Sequence, residues 1–136
     1  MKAIDTNIWI YCQDNRDNDK QRIALDLVAE TRPLALPWQV GCEFLAACRK
    51  LAGSGFSQEQ SWQRLKEMQA MADIILIPSA KHWTICQSLL LSHKVSFWDG
   101  MLLASCIDGG VKVLYTEDLT NNSLIEGVQI VNPFSQ

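Results

Sequence analysis

Long hydrophobic runs are missing from this sequence of 136 residues. No stretch approaches the roughly 18 consecutive apolar residues that a membrane-spanning helix needs. The first residues also lack the charged segment and apolar segment of a signal peptide. We therefore expect a protein without a membrane segment. The length suits one domain, and we expect a single domain over residues 1–136.

Paired cysteine motifs are missing as well. The five cysteines are an odd number and include no CxxC pair and no Cys/His ligand spacing; they are Cys12, Cys42, Cys48, Cys86 and Cys106. Free thiols in a reducing compartment are the simplest interpretation. We therefore expect a cytoplasmic protein.

Several familiar catalytic patterns are absent too. The sequence contains no P-loop and no GxGxxG motif, which argues against nucleotide binding by those routes. His82 and His93 stand alone, and no Ser/His/Asp or Cys/His order can be argued. The net charge of −3 gives no sign of a nucleic-acid binder, but that sum would mislead if several acids surround a metal ion.

Short apolar segments alternate with helical patterns along the chain. They predict the order β-α-β-α-α-β-α-α-β-β and hence an α/β fold, a mostly parallel sheet with helices on both faces. Residues 7–11 (NIWIY) are predicted as a short turn, and residues 74–78 (IILIP) as a buried strand. The five tryptophans are expected mainly in the core or in an interface.

Four of the fifteen acidic residues do not look like solvated surface residues: Asp5, Glu43, Asp99 and Asp118. Asp5 ends the first predicted strand, and Asp118 follows the predicted strand VKVLY. The other two lie in apolar helices. Because ligands of parallel α/β sheets bind beyond the carboxyl ends of the strands, all four acids could converge at one edge.

Each of these acids also has a purely structural interpretation. The two that end strands suit helix caps or turns. Asp99 can complete a capping box with Ser96, and Glu43 can face solvent beside Lys50. The sequence pattern of each acid, taken alone, leaves both interpretations open.

The four acids together point to a metal site. Clustered carboxylates repel one another strongly in a low-dielectric site, and a hard divalent cation removes that penalty. Mg²⁺ and Mn²⁺ prefer oxygen ligands. Such a site can lower the pKa of a bound water and can stabilise phosphoryl displacement.

The order of these motifs resembles the PIN domain family. The motifs are DTN at 5–7, Glu43, FWD at 97–99 and TEDL at 116–119, and the resemblance extends over almost the whole chain. It is strongest to the small single-domain prokaryotic PIN proteins, which include toxin ribonucleases of the VapBC type. The resemblance implies a three-layer α/β/α sandwich around a mostly parallel central sheet.

The resemblance also implies a Mg²⁺ or Mn²⁺ cofactor and roles for particular residues. The expected metal-binding and catalytic residues are Asp5, Glu43, Asp99 and Asp118, and the expected supporting polar residues are Thr6, Asn7 and Thr116. It implies an RNA substrate, a small antitoxin protein as a partner, and a homodimer.

Several basic residues could line an approach for phosphates. They are Arg16, Lys20, Arg22, Arg49 and Lys50. The alternative for each is ordinary solubilising charge.

The leading hypothesis is a Mg²⁺- or Mn²⁺-dependent endoribonuclease that acts as the toxin of a toxin–antitoxin pair. One alternative is a non-catalytic PIN-fold module that binds RNA or protein, and another is a housekeeping RNA-processing nuclease. A phosphatase with Asp5 as nucleophile is disfavoured, because that chemistry needs a second acid where Asn7 stands.

Overall fold

The structure, a computed structural model, describes residues 1–135, and of Ser54 it describes the backbone only. The strands are β1 (Lys2–Ile4), β2 (Leu34–Pro37), β3 (Ile74–Leu76), β4 (Val113–Tyr115), β5 (Leu124–Ile125) and β6 (Val128–Val131). The helices are α1 (Thr6–Gln13), α2 (Asn18–Glu30), α3 (Trp38–Cys48), α4 (Gln58–Met71), α5 (Lys81–Ser92) and α6 (Phe97–Asp108). A 3₁₀ helix (Arg49–Ser54) extends α3.

The strands form one sheet in the order β3-β2-β1-β4-β6-β5. Every neighbouring pair is parallel except β5 with β6, which forms an antiparallel hairpin at one edge. Helices flank this sheet, so the predicted α/β sandwich with a mostly parallel central sheet is confirmed. The parallel strands bring their carboxyl ends to the same edge.

The central strands are the most deeply buried part of the molecule. Ile4 of β1, Leu34 of β2 and Leu114 of β4 have no exposed surface, and neither has Phe44 of α3, which belongs to the same buried cluster. Full burial of such a side chain stabilises the fold by roughly 1.5–3 kcal/mol. The central sheet thus gives a rigid base to the loops at its carboxyl edge.

Helix α1 is longer than the short turn predicted at residues 7–11. It begins directly after β1, because Asp5 caps it by accepting a hydrogen bond from the Thr6 N–H at 2.7 Å. Ile8, Trp9 and Cys12 are its buried residues. The sequence pattern did not predict a helix here, because β-branched and aromatic residues normally favour strands.

The prediction of a buried strand at 74–78 is wrong. The strand β3 ends at Leu76 and lies at the edge of the sheet, where only its last residue is buried. Ile74 is 44% exposed, and Ile77 beyond the strand is 65% exposed. An apolar run of this length cannot by itself distinguish an edge strand from a central one.

Of the five tryptophans, which were expected in the core or in an interface, only Trp9 lies in the core. Trp9 is buried, but Trp38, Trp62, Trp83 and Trp98 are each 52–67% exposed. The apolar pattern of their helices predicted that these tryptophans would be buried. In the structure, each lies on a helix face that no other element covers fully. A role in an interface stays a prediction.

All five cysteines are free thiols, as expected. No helix within residues 1–135 is long and apolar enough to cross a membrane.

Candidate active site

A cleft of about 430 Å³ opens at the carboxyl edge of the sheet. It is lined by all four acids singled out in the sequence: Asp5, Glu43, Asp99 and Asp118. We call it the acidic cleft. The four residues come from the end of β1, from α3, from the first turn of α6 and from the loop after β4, so the fold unites segments that are far apart in the chain.

Asp5 is the most deeply buried of the four, with 5% of its surface exposed. Its Oδ1 accepts a hydrogen bond from the Thr6 N–H, and its Oδ2 accepts one from the Thr116 hydroxyl at 2.8 Å. Burial raises the pKa of Asp5 to about 6, although both hydrogen bonds oppose the rise, and repulsion from Glu43 and Asp118 adds to it. Asp5 is therefore a helix cap and a residue of the acidic cleft at once.

Glu43 is held near Asp5 by Thr6, which donates a hydrogen bond to each of the two carboxylates. The Thr6 side chain donates a hydrogen bond to Glu43 Oε1 at 3.0 Å, while the Thr6 backbone N–H binds Asp5. Among the described residues, Lys50 forms no ion pair with Glu43. The alternative of an exposed Glu43 beside Lys50 is therefore not what the structure has.

Asp99 lies in the first turn of α6 and faces the acidic cleft. Its backbone N–H donates to the Ser96 hydroxyl at 3.3 Å, which is one half of the predicted capping box. Within residues 1–135 the Ser96 N–H donates no hydrogen bond back to the Asp99 carboxylate, unlike in the complete box formed by Ser57 and Gln60. The carboxylate of Asp99 thus stays available in the cleft.

Asp118 is positioned through its backbone, since its N–H donates to the Thr116 hydroxyl at 3.1 Å. Partial burial raises the pKa of Asp118, and the negative charge of Asp99 raises it further. The Asn7 carboxamide lowers it, yet both polar atoms of that buried amide lack a partner that meets hydrogen-bond geometry. Asn7 is thus an unsatisfied polar group beside the Asp118 carboxylate, where a ligand of the cleft could bind it.

Glu117 belongs to a separate polar network. Its carboxylate accepts hydrogen bonds from the Tyr11 hydroxyl at 2.6 Å and from Lys20 Nζ at 3.1 Å. The same ammonium group lies 4.7 Å from the centre of the Tyr11 ring. Neighbouring acids in the TEDL segment therefore have different surroundings, with Asp118 alone facing the acidic cleft.

Of the basic residues suggested for phosphate contacts, Arg16 alone lines the acidic cleft. Its guanidinium is bound by both oxygens of Asp14, at 2.8 and 2.7 Å. Lys20 is held by Glu117 and Tyr11, and Arg22 pairs with Asp19 on the exposed side of α2. Arg49 and Lys50 lie on the 3₁₀ helix, outside the walls of the cleft.

Sequence reasoning missed two polar residues of the cleft wall, Tyr11 and Asp14. They follow Asn7 by four and seven residues, which places them on one face of α1 and at its cap. Recognition of α1 as a helix would have found them.

The chemistry of the cleft fits a divalent cation, because its donors are carboxylate oxygens and the buried amide of Asn7. In the conformations present within residues 1–135, however, no three acidic, histidine or cysteine side chains are close enough together to hold an ion. The cleft therefore contains suitable ligand types, but within residues 1–135 their side chains do not converge on a single point.

Comparisons with known proteins agree with this architecture. The family model of the PIN domain matches residues 2–120. A search of curated proteins by sequence found no relative. Among solved structures, a toxin–antitoxin complex from Klebsiella pneumoniae has a TM-score of 0.72 and 21% identity, with 100% of both chains covered.

Two further structures are similar. Mycobacterium tuberculosis VapC20, described as a sarcin-ricin loop cleaving toxin, has a TM-score of 0.68 and 16% identity over 87% of this chain and 90% of that one. VapBC2 from Rickettsia felis, bound to a promoter DNA fragment, has a TM-score of 0.65 and 17% identity over 95% and 96%. At these low sequence identities, the structural similarity shows a shared fold and no more. The match of the family model over residues 2–120 shows that the chain belongs to the PIN domain family.

Proposed function

We propose that this protein is a Mg²⁺- or Mn²⁺-dependent endoribonuclease that hydrolyses phosphodiester bonds of RNA, and that it is the toxin of a toxin–antitoxin pair. Membership of the PIN domain family supports a nuclease. The similarity to structures described as toxins or toxin–antitoxin complexes supports the second part.

The observation that carries the proposal is the meeting of four carboxylates in one cleft at the carboxyl edge of the sheet. Among the described residues, none of the four forms an ion pair with a basic side chain. A cluster that only stabilised the fold would be expected to contain a paired lysine or arginine. Arg16, on the wall of the cleft, is bound to Asp14 instead.

Each side chain has a task in this proposal. Asp5, Glu43, Asp99 and Asp118 would hold the cation, which when bound would neutralise their repulsion and supply an activated water. Thr116 fixes the Asp5 carboxylate and Thr6 fixes Glu43 through the hydrogen bonds described above. Asn7 would orient a ligand or a water molecule through its unpartnered amide.

Arg16 would contact the RNA backbone at the mouth of the cleft. Its guanidinium can bind a phosphate in the bidentate manner in which it now binds Asp14. This role requires the Asp14 pair to open. The side chain of Arg16 is 71% exposed and that of Asp14 is 13% exposed, and opening such a pair costs on the order of 1 kcal/mol.

We also propose two protein partners, a small antitoxin and a second copy of this chain. Two of the solved structures with a similar fold are VapBC structures, VapBC2 from Rickettsia felis and VapBC-1 from nontypeable Haemophilus influenzae. Four largely exposed tryptophans leave apolar surface that a partner would cover.

A non-catalytic binding module is the second candidate, and one observation favours it. As the side chains stand within residues 1–135, no three potential ligands converge on a point that could hold an ion. The two candidates differ in whether the protein turns over RNA, so the same assay decides between them.

The test is incubation of the purified protein with labelled single-stranded RNA in Mg²⁺, in Mn²⁺ and in EDTA. The proposal predicts internal cleavage with either metal and none in EDTA. Binding without cleavage under all three conditions would favour the non-catalytic module. For the toxin part, expression without an antitoxin should slow growth, and Asp5→Ala should relieve this; normal growth with soluble, active protein would favour a housekeeping nuclease.

A further inference from the structure

A second cleft, of about 310 Å³, lies beside the acidic cleft and shares Asp118 with it. It is formed by the loop between α5 and α6 and by the chain from the end of the TEDL segment into β5. The residues that matter here are His93, Lys94, Thr120 and Ser123. Because both clefts include Asp118, a ligand that fills the first can continue into the second without leaving the surface.

The second cleft contains a lysine, Lys94, in addition to the shared Asp118. Lys94 is exposed on its wall and, among the residues that the structure describes, forms no ion pair. His93 lies next to it, with Nε2 3.6 Å from a carboxylate oxygen of Glu126. An unpaired ammonium group at the edge of an acidic site suits an anionic ligand.

The other side chains suit a nucleotide unit. Val95, Leu119 and Ile125 give the second cleft an apolar lining against which a ribose or a base can pack. The hydroxyl groups of Thr120 and Ser123 are polar groups on the same wall. Its volume lies at the lower end of the roughly 300–1,000 Å³ typical of small-ligand sites.

We infer that the second cleft is a subsite for the RNA strand, in which Lys94 binds the phosphate of the nucleotide adjacent to the bond that is cut. This inference rests on the proposed function. A small free anion is disfavoured here because Asp118 borders the cleft and repels it. A strand held at several points overcomes this repulsion, so the ligand is a polynucleotide.

The inference predicts that Lys94 contributes one phosphate contact. Lys94→Gln should weaken binding of a fluorescein-labelled single-stranded RNA of roughly twelve nucleotides, a length within the usual site sizes of single-strand binders. Each phosphate contact to a single strand contributes about 0.7 to the slope of log K against log salt. Loss of one contact should therefore reduce the slope by about 0.7 and weaken binding about fivefold at roughly 0.1 M salt.

The chain offers matched controls for this measurement. Lys94→Arg keeps the charge and should restore binding. Lys112→Gln removes an exposed lysine that precedes β4, at the opposite edge of the sheet, and should leave the salt slope unchanged. Binding is measured in EDTA, so that it reports on the strand contact without hydrolysis.

Steady-state cleavage in Mg²⁺ gives a second readout. Lys94→Gln should raise KM and leave kcat near that of the wild type, because a contact to a phosphate that does not react stabilises the ground state and the transition state alike. Thermal melts should coincide with the wild type, which excludes a structural defect.

The outcomes separate this inference from the function on which it rests. If the wild type binds and cleaves RNA while Lys94→Gln and Lys112→Gln behave alike, the subsite is wrong and the nuclease stands. If the wild type neither binds nor cleaves RNA with Mg²⁺ or Mn²⁺, the proposed function and the subsite both fail.

Discussion

Thr116 and Asp5 are joined by a fully buried hydrogen bond of 2.8 Å between residues that are 111 positions apart in the chain. Thr116 follows β4 and Asp5 follows β1, and these strands are neighbours in which Ile4 lies opposite Tyr115. The Thr116 hydroxyl also accepts the N–H of Asp118. One side chain thus orients two of the four acids, which makes Thr116 the main positioning residue of the acidic cleft.

Replacement of Thr116 by valine should show this role. The shape is kept, but Asp5 loses a donor and the Asp118 N–H loses its acceptor, so we expect a loss of about 2 kcal/mol in the free energy of unfolding. Cleavage should fall as well, because both acids lose their orientation. Thr116→Ser, which retains the hydroxyl, should remain close to the wild type. Urea unfolding that is unchanged in Thr116→Val would mean that the hydrogen bond to Asp5 is not formed in solution.

The burial of Asp5 predicts a pH-dependent stability in EDTA. The pKa of Asp5 is raised from 3.8 to about 6 in the folded protein, so the fold binds this proton more tightly than the unfolded chain does. Its contribution is therefore most favourable below about pH 4, declines as the pH rises from 4 to 6, and is constant above that. This pKa shift corresponds to a change of about 3 kcal/mol in the free energy of unfolding between low and neutral pH.

Asp5→Asn removes this titration and should be more stable than the wild type at neutral pH without metal. Its advantage should shrink towards zero near pH 4, because the wild-type carboxyl is then protonated. Asp26→Asn, on the exposed side of α2, is the matched control and should show no such trend. An Asp5→Asn protein that is less stable at neutral pH would mean that the hydrogen bonds to the carboxylate outweigh its desolvation.

The adjacent acids Glu117 and Asp118 should respond differently to metal. A cation that binds only the folded state stabilises it by roughly 2.7 kcal/mol at a hundredfold excess over Kd. Asp118→Asn relieves repulsion from Asp99, so it should melt at or above the wild type in EDTA and gain less from Mg²⁺.

Glu117→Gln is the control for that experiment, because Glu117 does not line the acidic cleft and its carboxylate is bound by Tyr11 and Lys20. It should lose up to about 1 kcal/mol of stability with this ion pair and gain as much from Mg²⁺ as the wild type does. Thermal melts across a Mg²⁺ titration measure both variants. Equal gains in Asp118→Asn and in the wild type would remove Asp118 from the metal site.

A homodimer is expected from the exposed apolar surface. Trp38 and Trp62 line an apolar groove of about 260 Å³ between α3 and α4, and both are about half exposed. Burial of such side chains against a second copy would be favourable. Light scattering should give twice the chain mass of 15.3 kDa. A monomer mass at high concentration would contradict the dimer.

Much of the acidic cleft could be predicted from sequence because its residues are tied to strand ends. Asp5 and Asp118 follow strands whose parallel pairing brings their carboxyl ends together. Asp99 could be predicted as a site residue because a carboxylate on the apolar side of a helix is unfavourable unless it binds a partner or a ligand. These inferences use local pattern and one rule of topology.

The rest depended on packing that a pattern does not contain. Helix α1 has only eight residues, and its run of isoleucine, tryptophan and tyrosine resembles a strand, so Tyr11 and Asp14 were missed. The exposed Ile74 looked like a core residue because the sequence does not say which strand lies at an edge. Lys94 lies in a loop, and only the fold brings it beside Asp118.

RNA cleavage by Asp99→Asn in Mg²⁺ is the most direct test of the proposed metal-dependent nuclease. Asparagine keeps the shape of the side chain and removes the charge that would hold the cation, so kcat/KM should fall about a hundredfold or more. Asp26→Asn, which removes an equal charge from the exposed side of α2, should cleave like the wild type. Equal cleavage by the wild type and Asp99→Asn, whether in Mg²⁺ or in EDTA, would contradict a metal-dependent nuclease built on these four carboxylates.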